Sequence, residues 1–323
     1  MEKISLIIGA GVNKEIHPDI DLGRELIQNI SDRVTDRTTP NGPNLSINLE
    51  RHFPEFNRMI RTDFLMHLDH YISSVEYPSI DEFLNEVETF PEFEGQRQQF
   101  LDIGLLMILA HVIGWEGKKT VDSLTKELTE KRTWLSVLAK YLEDKVSGSD
   151  FNIITFNYDR IVEYFLLKTF SNNSKAFVKN HIHHVYGRLA NLDGLDPAYD
   201  GEQSLGFDVP NHAFTEIAKL KNNIKLIRQK VDTKSIKDIV KNSKRLVLFG
   251  YGLDPINNKR IGLHEWDGKD SDFVFNIFFG GLPDFNLQNR RETAEKVRAI
   301  RIDADIQFMN CKEFLNYALN EKH

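Results

Sequence analysis

Three polar residues follow directly on an apolar run in the middle of the chain. The segment Asn152–Glu163, NIITFNYDRIVE, passes from β-branched and aromatic residues to Asn157, Tyr158 and Asp159, and a helical pattern follows at once. A buried parallel strand delivers polar side chains in this way to the carboxyl edge of an α/β sheet, where ligands bind. Because an asparagine amide is a poor nucleophile and a poor acid, we expect Asn157 to orient a water or a ribose hydroxyl. Taken alone, a plain strand end with Asn157 capping the next helix explains these residues at least as well.

Glycines follow two other strand-like runs. Gly9-Ala10-Gly11 comes after the apolar run Ile4–Ile8, and Gly250-Tyr251-Gly252 comes after Arg245–Phe249, with Asn257 shortly beyond. Closely spaced glycines after a strand let the backbone approach a ligand, and a helix start just beyond offers free N–H groups to a diphosphate. A simple turn has the same sequence, so the position of the first motif at the first strand strengthens the interpretation.

Further residues are candidate ligand contacts. Asp19 and Arg24 follow the first glycine turn and are placed to reach a phosphate or a ribose, although an exposed capping loop accounts for them equally well. His181, His183 and His184 form a close set that could in principle bind metal. Their spacing within a strand-like run matches no zinc pattern, so the sequence predicts no metal.

The elements that must position these residues alternate along the chain. Further strands are predicted at His181–Gly187, Phe273–Phe279 and Ala299–Ile302, and helices at Ile217–Lys241 and Lys312–Leu319. Strands separated by helices, with small or polar residues at their ends, are typical of a parallel sheet. The sequence therefore predicts an α/β fold, a Rossmann-like doubly wound parallel sheet with a large α-helical insertion. We expect residues 1–29 and 146–323 to form the core and residues 30–145 the inserted helical module.

Composition restricts the possible classes of protein. The formal net charge of −7 over 323 residues disfavours nucleic-acid binding, which needs a concentrated basic face. The single cysteine, Cys311, excludes a disulfide or a four-cysteine zinc site within one chain and favours a cytoplasmic location. No signal-peptide pattern opens the chain. The longest apolar segment, Leu101–Trp115, contains Asp102 and His111 and predicts a buried core helix rather than a membrane span.

Together these motifs resemble the sirtuin-like domain of bacterial proteins. The resemblance rests on Gly9-Ala10-Gly11, on Thr155–Asp159 with Glu163, on the His-rich strand that ends in Gly187, and on Gly250 with Asn257. It covers the sheet core but not the helical insertion in detail, and TFNYD is its most specific element. The resemblance implies a Rossmann-like fold that binds NAD between the first glycine turn and the strand edge at Asn157.

The resemblance also implies which residues contact NAD. Asn157 matches the catalytic asparagine of the family, and Asp159 matches its neighbouring ribose-side carboxylate. The turn Gly9-Ala10-Gly11 matches the segment that holds the diphosphate. Gly250, Gly252 and Asn257 lie where the family contacts the adenine ribose.

The match is imperfect at the catalytic histidine, which in this family usually stands immediately before the glycine matched here by Gly187. This chain has Tyr186 at that position. Because side chains alternate along a strand, His184 lies on the same face as Tyr186. We expect His184 to act as the base, with Tyr186 beside it, and a purely structural His184 is the alternative.

The activity that the resemblance implies is hydrolysis of NAD to nicotinamide and ADP-ribose. Deacetylase sirtuins carry a four-cysteine zinc ribbon, which one cysteine cannot build, and the deacylase interpretation is weakened accordingly. Zinc-free bacterial proteins of this kind are associated with anti-phage defence by abortive infection, in which NAD depletion halts the infected cell. We therefore expect control by a homo-oligomer or by a separate sensor, ATPase or nucleotide-processing subunit, with no direct contact to nucleic acid or membrane. The alternatives are a non-catalytic sensor or regulatory subunit that binds NAD or ADP-ribose, and an NAD-dependent deacylase or ADP-ribosyltransferase.

Overall fold

A computed structural model describes most of the chain. The described residues are 3–16, 20, 24–34, 58–75, 79–145, 150–169, 174–192, 204–205, 219–266, 272–276, 287–300, 304–307 and 309–320. The chain divides into two compact units. The sheet unit contains Met1–Ile20, Glu116–Asp208 and Lys230–His323, and the helical unit contains Asp21–Trp115 and Val209–Gln229.

A six-stranded, all-parallel sheet forms the centre of the sheet unit. The described residues form eight strands, of which six belong to this sheet and two form a separate pair. They are β1 Ile4–Ile8, β2 Phe151–Thr155, β3 Ile182–His184, β4 Asn191–Leu192, β5 Ser204–Leu205, β6 Arg245–Phe249, β7 Asp272–Asn276 and β8 Asp305–Gln307. The order in the large sheet is β3-β2-β1-β6-β7-β8, and β4 pairs with β5 separately. The chain therefore builds the sheet outward from β1 in one direction and then, from β6, in the other. This arrangement confirms the predicted Rossmann-like α/β fold.

The central strands are apolar because helices cover both faces of a parallel sheet of this kind. All five residues of β1 and all five of β6 are buried. The register pairs Ile8 with Thr155 of β2 on one side and with Phe249 of β6 on the other. Three neighbouring strands thus end at the same level, and the residues that come after them share one edge of the sheet.

Twelve α-helices are assigned within the described residues. They are α1 Arg24–Val34, α2 Arg58–Ser74, α3 Ile80–Thr89, α4 Arg97–Trp115, α5 Lys118–Glu130, α6 Trp134–Lys145, α7 Ile161–Thr169, α8 Ser174–His181, α9 Lys234–Lys241, α10 Pro255–Ile261, α11 Leu287–Ile300 and α12 Cys311–Asn320. Short 3-10 segments occur at Ala10–Glu15, Pro91–Phe93, Leu220–Asn223 and Leu263–Glu265. The predicted closing helix corresponds to α12.

The helical unit is organised around the aromatic residues of α2, α3 and α4. The ring of Phe64 meets the rings of Phe83 and Phe100 edge-on, each at a centroid distance of 5.5 Å. Within the described ranges, α4 is the one helix long and apolar enough to cross a membrane, but 56% of its apolar window is buried inside the protein. Burial of more than half of an apolar helix inside the protein is typical of a core helix, as the sequence predicted.

The boundaries between the units differ from the predicted ones. The sheet unit resumes at Glu116 rather than at residue 146, so it includes α5 and α6. Trp134 at the start of α6 explains this, because its Nε1 donates to the carbonyl of Val12 at 3.2 Å and its ring packs edge-on against Phe249. Residues 209–229 belong to the helical unit, where Lys221 pairs with Asp102 of α4 at 2.8 Å. Periodicity identifies a helix but does not reveal which core it packs against.

Two predicted elements were wrong and one was displaced. The strand predicted at Ala299–Ile302 is absent where described, since α11 continues to Ile300 and the last strand is Asp305–Gln307. The helix predicted over Ile217–Lys241 is interrupted, because residues 224–233 are not helical. His181 ends α8 instead of opening a strand. Short apolar runs fit a helix end as well as a strand, and tertiary contacts override the helix propensity of lysine-rich segments.

Candidate functional site

The carboxyl ends of β1 and β6 lie side by side where the order of the sheet reverses, which is where ligands bind in open α/β sheets. The turns after these strands are in direct contact. A Cβ atom on Gly9 would lie 2.1 Å from the carbonyl oxygen of Gly250. Gly250 itself has φ +60°, and a Cβ there would lie 2.5 Å from Cγ1 of Val12. Both positions therefore require glycine for packing between the two turns.

The other predicted residues of these turns differ in their surroundings. Within the described part of the chain, nothing lies within 4 Å of a Cβ built on Gly252, which faces open space. Ala10 is exposed and Gly11 is half-buried. The predicted ligand contacts of these residues thus remain sterically possible, whereas Gly9 and Gly250 already have a structural reason to be glycine.

Asn157 lies just beyond the end of β2 and is only 7% exposed. Its backbone N–H donates to Oγ1 of Thr155 at 3.1 Å, and its carbonyl oxygen accepts a hydrogen bond from Nδ1 of His184 at 2.8 Å. No donor from the described residues reaches its side-chain oxygen Oδ1. An unpaired buried acceptor of this kind costs about 1–3 kcal/mol, so the Asn157 amide is suited to accept a hydrogen bond from a ligand.

Asp159 is linked to the first glycine turn by a hydrogen bond. Nδ2 of Asn13, in the 3-10 segment after β1, donates to Oδ2 of Asp159 at 2.8 Å, and the N–H of Ile161 donates to Oδ1 at 3.2 Å. The exposed fractions are 5% for Asp159 and 1% for Asn13. Among the described residues, Oδ1 of Asn13 also has no donor. One buried carboxyl group is therefore accompanied by two buried amide oxygens to which the described residues supply no donor.

The ionisation of Asp159 is strongly perturbed. Burial raises the pKa of Asp159 from 3.8 to about 7, and the nearby carboxylates of Glu116 and Glu163 act in the same direction. The hydrogen bond from Ile161 and the charge of His184 oppose this increase. A buried acid that titrates near neutral pH at the ligand-binding edge of a sheet is a candidate functional group.

A buried ion pair between Arg160 and Glu116 stabilises the loop that contains Asp159. The guanidinium of Arg160 contacts both carboxylate oxygens of Glu116 through Nε, at 3.2 Å and 3.1 Å, and the backbone N–H of Arg160 donates to the same group at 2.6 Å. Nη1 of Arg160 also donates to the carbonyl of Asn191 at 3.0 Å. Both charged side chains are almost completely buried. The pair fixes the backbone on which Asn157 and Asp159 stand.

His184 is held at both ring nitrogens. Nδ1 faces the carbonyl oxygen of Asn157, and Nε2 contacts Oε1 of Glu163 at a very short distance. Burial works to raise the pKa of Glu163, but His184 and Arg188 outweigh it and hold that pKa below its ordinary value. Because both neighbours of the ring are acceptors, the arrangement satisfies an imidazolium with two N–H donors. In this geometry His184 has no free lone pair and fixes the backbone of Asn157.

Tyr186 and Asn257, predicted from separate segments, are in direct contact through a short hydrogen bond from the phenol to the amide oxygen. The guanidinium of Arg260 lies 5.1 Å from the centre of the Tyr186 ring. Phe156, which is half-buried, stacks on Tyr251 at 5.0 Å and tilts against Tyr186 at 5.9 Å. Tyr186 and Tyr251 are both buried, so this aromatic cluster packs inside the protein next to the polar residues that follow β2.

The structure therefore assembles most of the predicted residues at one edge of the sheet unit. His184 contacts Asn157, Tyr186 contacts Asn257, and the two glycine turns contact each other. The remaining two candidates are not part of this assembly as described. Asp19 lies outside the described residues, and Arg24 begins α1 of the helical unit with its side chain outside the description.

Sequence reasoning missed three supporting residues: Asn13, Glu116 and Arg160. Asn13 stands two residues after the first glycine motif, so its position was a usable signal. Glu116 carried no local signal, because it lies 44 residues before its partner Arg160. Arg160 comes directly after the TFNYD motif, where a basic residue near a helix start gives no signal of a buried ion pair.

Fold and edge together define the class of protein: an α/β protein with a Rossmann-like parallel sheet and a buried polar cluster at its carboxyl edge. No protein-family model matches the chain, and no curated protein shows a significant match. The described residues contain no group of three or more His, Cys, Asp or Glu side chains that could hold a metal ion.

Proposed function

We propose that this protein hydrolyses NAD to nicotinamide and ADP-ribose at the carboxyl edge of its sheet. The observation that carries the proposal is the buried amide oxygen of Asn157, two residues before Asp159 at the carboxyl end of β2, which receives no donor from the described residues. NAD is the substrate, and its nicotinamide leaves as a neutral molecule that needs no protonation. The site must hold the ribose, stabilise an oxocarbenium-like centre and place a water.

The residues at the edge suit these tasks. The side-chain oxygens of Asn157 and Asn13, which receive no donor from the described part of the chain, are acceptors for ribose hydroxyls or for the attacking water. The carboxylate of Asp159, when it is deprotonated, favours positive charge at a reacting carbon placed beside it, whereas Glu116 and Glu163 are paired with Arg160, His184 and Arg188. No described residue lies within 4 Å of a Cβ built on Gly252, and this supports the assignment of the space to part of the dinucleotide.

The biological setting comes from the resemblance to bacterial sirtuin-like proteins. We propose a cytoplasmic effector of anti-phage abortive infection that acts by NAD depletion. An enzyme with this activity is toxic unless it is controlled. The proposal therefore includes control by a homo-oligomer or by a separate sensor, ATPase or nucleotide-processing subunit.

One observation favours a second function, a non-catalytic sensor of NAD or ADP-ribose. Both nitrogens of His184 are occupied, so the predicted base is not available without breaking its contact with Glu163. A sensor binds the nucleotide in calorimetry but releases no nicotinamide, with or without a partner subunit. A hydrolase releases both products.

The test is incubation of the purified protein with NAD, followed by chromatography for nicotinamide and ADP-ribose. We expect Asn157→Ala to lose activity by about 10²-fold or more, because the unpaired amide oxygen is removed. Asn152→Ala is a matched control on the same strand, since the Asn152 amide contacts His181 and His183 rather than the carboxyl edge. Equal hydrolysis by the wild type and Asn157→Ala rejects the site.

A further inference from the structure

The contacts of His184 leave the proposed reaction without an obvious proton acceptor. Its Nδ1 donates to the carbonyl of Asn157, and its Nε2 contacts the carboxylate of Glu163, which is 1% exposed. Removing a proton from water through Nε2 requires the ring to leave a buried carboxylate that carries a negative charge. The contacts of His184 are those of a residue that positions the Asn157 loop.

Asp159 has the free capacity that His184 lacks. A carboxylate offers about four acceptor positions, and the described residues supply one donor to each oxygen of Asp159. The donor on Oδ1 is the backbone N–H of Ile161, and the donor on Oδ2 is the amide of Asn13. Each oxygen therefore retains a position for a donor from a ligand or a water.

Resting on the proposed NAD cleavage, we propose that Asp159 rather than His184 accepts the proton of the attacking water, and that Asn13 positions the Asp159 carboxylate for this step. The water oxygen forms a bond to C1′ of the nicotinamide ribose. The C1′–N bond breaks, and its electron pair leaves with nicotinamide as a neutral molecule. The released proton goes to the Asp159 carboxylate and from there to solvent.

The surroundings of Asp159 suit this task at neutral pH. The charged groups that act on it are Glu116, Glu163 and His184. Arg160 pairs with Glu116, and Arg188 lies 3.7 Å from Glu163. Burial is the largest cause that raises the pKa of Asp159 to about 7, and Glu116 and Glu163 add to it. A general base is most effective when its pKa lies near the working pH. An ordinary aspartate, with a pKa near 4, is a weaker base.

Asn13 is suited to position this carboxylate because it is rigid and uncharged. It is 1% exposed and reaches Asp159 across 146 residues of sequence. An amide donor orients the carboxylate without neutralising it, whereas a lysine or arginine in this place lowers the pKa of the acid. The unpaired Oδ1 of Asn13 adds an acceptor for a ribose hydroxyl beside the base.

The experiment is the pH dependence of kcat/KM for NAD cleavage from pH 5 to pH 9. For the wild type we expect activity to rise with pH through a midpoint of about 7 and then to level off, because the base must be deprotonated. Asp159→Asn is expected to lose about 10²–10⁴-fold in kcat/KM and to show no such rise. His184→Gln, which keeps a donor for the Asn157 carbonyl, is expected to lose activity but to retain the rise.

Two further variants separate positioning from folding. Asn13→Ala removes a hydrogen bond to the charged form of Asp159, so the midpoint is expected to move to higher pH. The double variant Asn13→Asp with Asp159→Asn restores a hydrogen bond between the two side chains but moves the carboxylate. We expect it to melt near the wild-type temperature and to bind ADP-ribose in calorimetry, while nicotinamide release stays at the level of Asp159→Asn alone.

Asp305→Asn is the control, because Asp305 is a partly buried acid of the edge strand β8 that accepts a hydrogen bond from Tyr317 at 2.7 Å. Its pH profile is expected to match the wild type. If Asp159→Asn retains the rise and His184→Gln loses it, the inference is overturned while NAD cleavage stands. A wild-type protein that binds no ADP-ribose and releases no nicotinamide overturns both proposals.

Discussion

Buried polar residues occur at both ends of the parallel sheet, but their hydrogen bonding differs between the amino end and the carboxyl end. At the amino end, Arg245 of β6 contacts Asp272 of β7 at 3.1 Å and 2.9 Å and donates to the carbonyl of Ala318 at 3.1 Å. The hydroxyls of Ser5 and Ser243 are 2.6 Å apart. These groups are paired within the protein, as expected of polar residues that serve stability.

At the carboxyl end, the pairing is incomplete. The amide oxygens of Asn13 and Asn157 receive no donor from the described residues, and burial raises the pKa of Asp159 to about 7. A buried polar residue therefore does not by itself indicate function. The two ends differ in how much hydrogen-bonding capacity the described residues leave unused. Unused capacity of this kind is available to a ligand.

The largest predicted effect on the free energy of unfolding comes from comparing two glycines at the carboxyl end of the sheet. Gly9 is required for packing, whereas Gly252 is predicted to contact the ligand. Gly9→Ala places a Cβ 2.1 Å from a backbone oxygen, and we expect a loss of about 4 kcal/mol or more in the free energy of unfolding. Gly252→Ala has open space around its Cβ and is expected to change stability by less than about 1 kcal/mol. Urea unfolding measures both. Similar losses in the two variants contradict the distinction drawn between these glycines.

The next effect in size compares the fully buried pair of Arg160 and Glu116 with the partly exposed pair of Arg245 and Asp272. Glu116→Gln leaves the charge of Arg160 buried without its partner, which we expect to cost about 3–5 kcal/mol. The corresponding change at the amino end, Asp272→Asn, affects a side chain that is 31% exposed, and we expect about 1 kcal/mol or less. Chemical denaturation of the two variants measures the difference. Equal costs show that the two ends do not differ in this respect.

Ligand binding is expected to stabilise the protein only through the carboxyl end. At a concentration 100-fold above its Kd, ADP-ribose adds about 2.7 kcal/mol to the free energy of unfolding. We expect the thermal shift to disappear in Asn157→Ala and to persist in Ser243→Ala, which alters the amino end. A shift that survives in Asn157→Ala, or is lost in Ser243→Ala, places the ligand elsewhere.

The smallest effect concerns the dependence of stability on pH. The pKa of Asp159 is raised to about 7 in the folded protein, mainly by burial, whereas its ordinary value is 3.8. The folded state therefore binds the proton more tightly, so the contribution of Asp159 is greatest at low pH and is lost as the pH rises toward 7. Between pH 5 and pH 8 the wild type is expected to lose on the order of 1–3 kcal/mol relative to Asp159→Asn. Parallel stability curves for the two proteins contradict the raised pKa.

The sequence was informative wherever a local pattern has one structural solution. The continuous apolar runs at Ile4–Ile8 and Arg245–Phe249 form buried strands, and the glycines directly after them meet at the edge of the sheet. Ser79, directly before α3, accepts a hydrogen bond from the N–H of Glu82 at 3.2 Å, as is typical of a serine at the start of a helix. Where two solutions exist, the prediction was wrong, as at Ala299–Ile302, because four apolar and basic residues also fit the end of a helix.

The sequence by itself determined the parallel α/β fold and the edge at which Asn157, Asp159 and His184 meet, because both depend on the strand pattern and on the residue types just beyond each strand. Only the tertiary structure decided how those side chains are paired. Asn13 reaches Asp159 across 146 residues, and Glu116 reaches Arg160 across 44. Hydrogen bonds between distant segments leave no periodic signal in the sequence. They nevertheless decide that His184 positions the Asn157 loop, whereas the Asp159 carboxylate keeps acceptor positions for a ligand or a water.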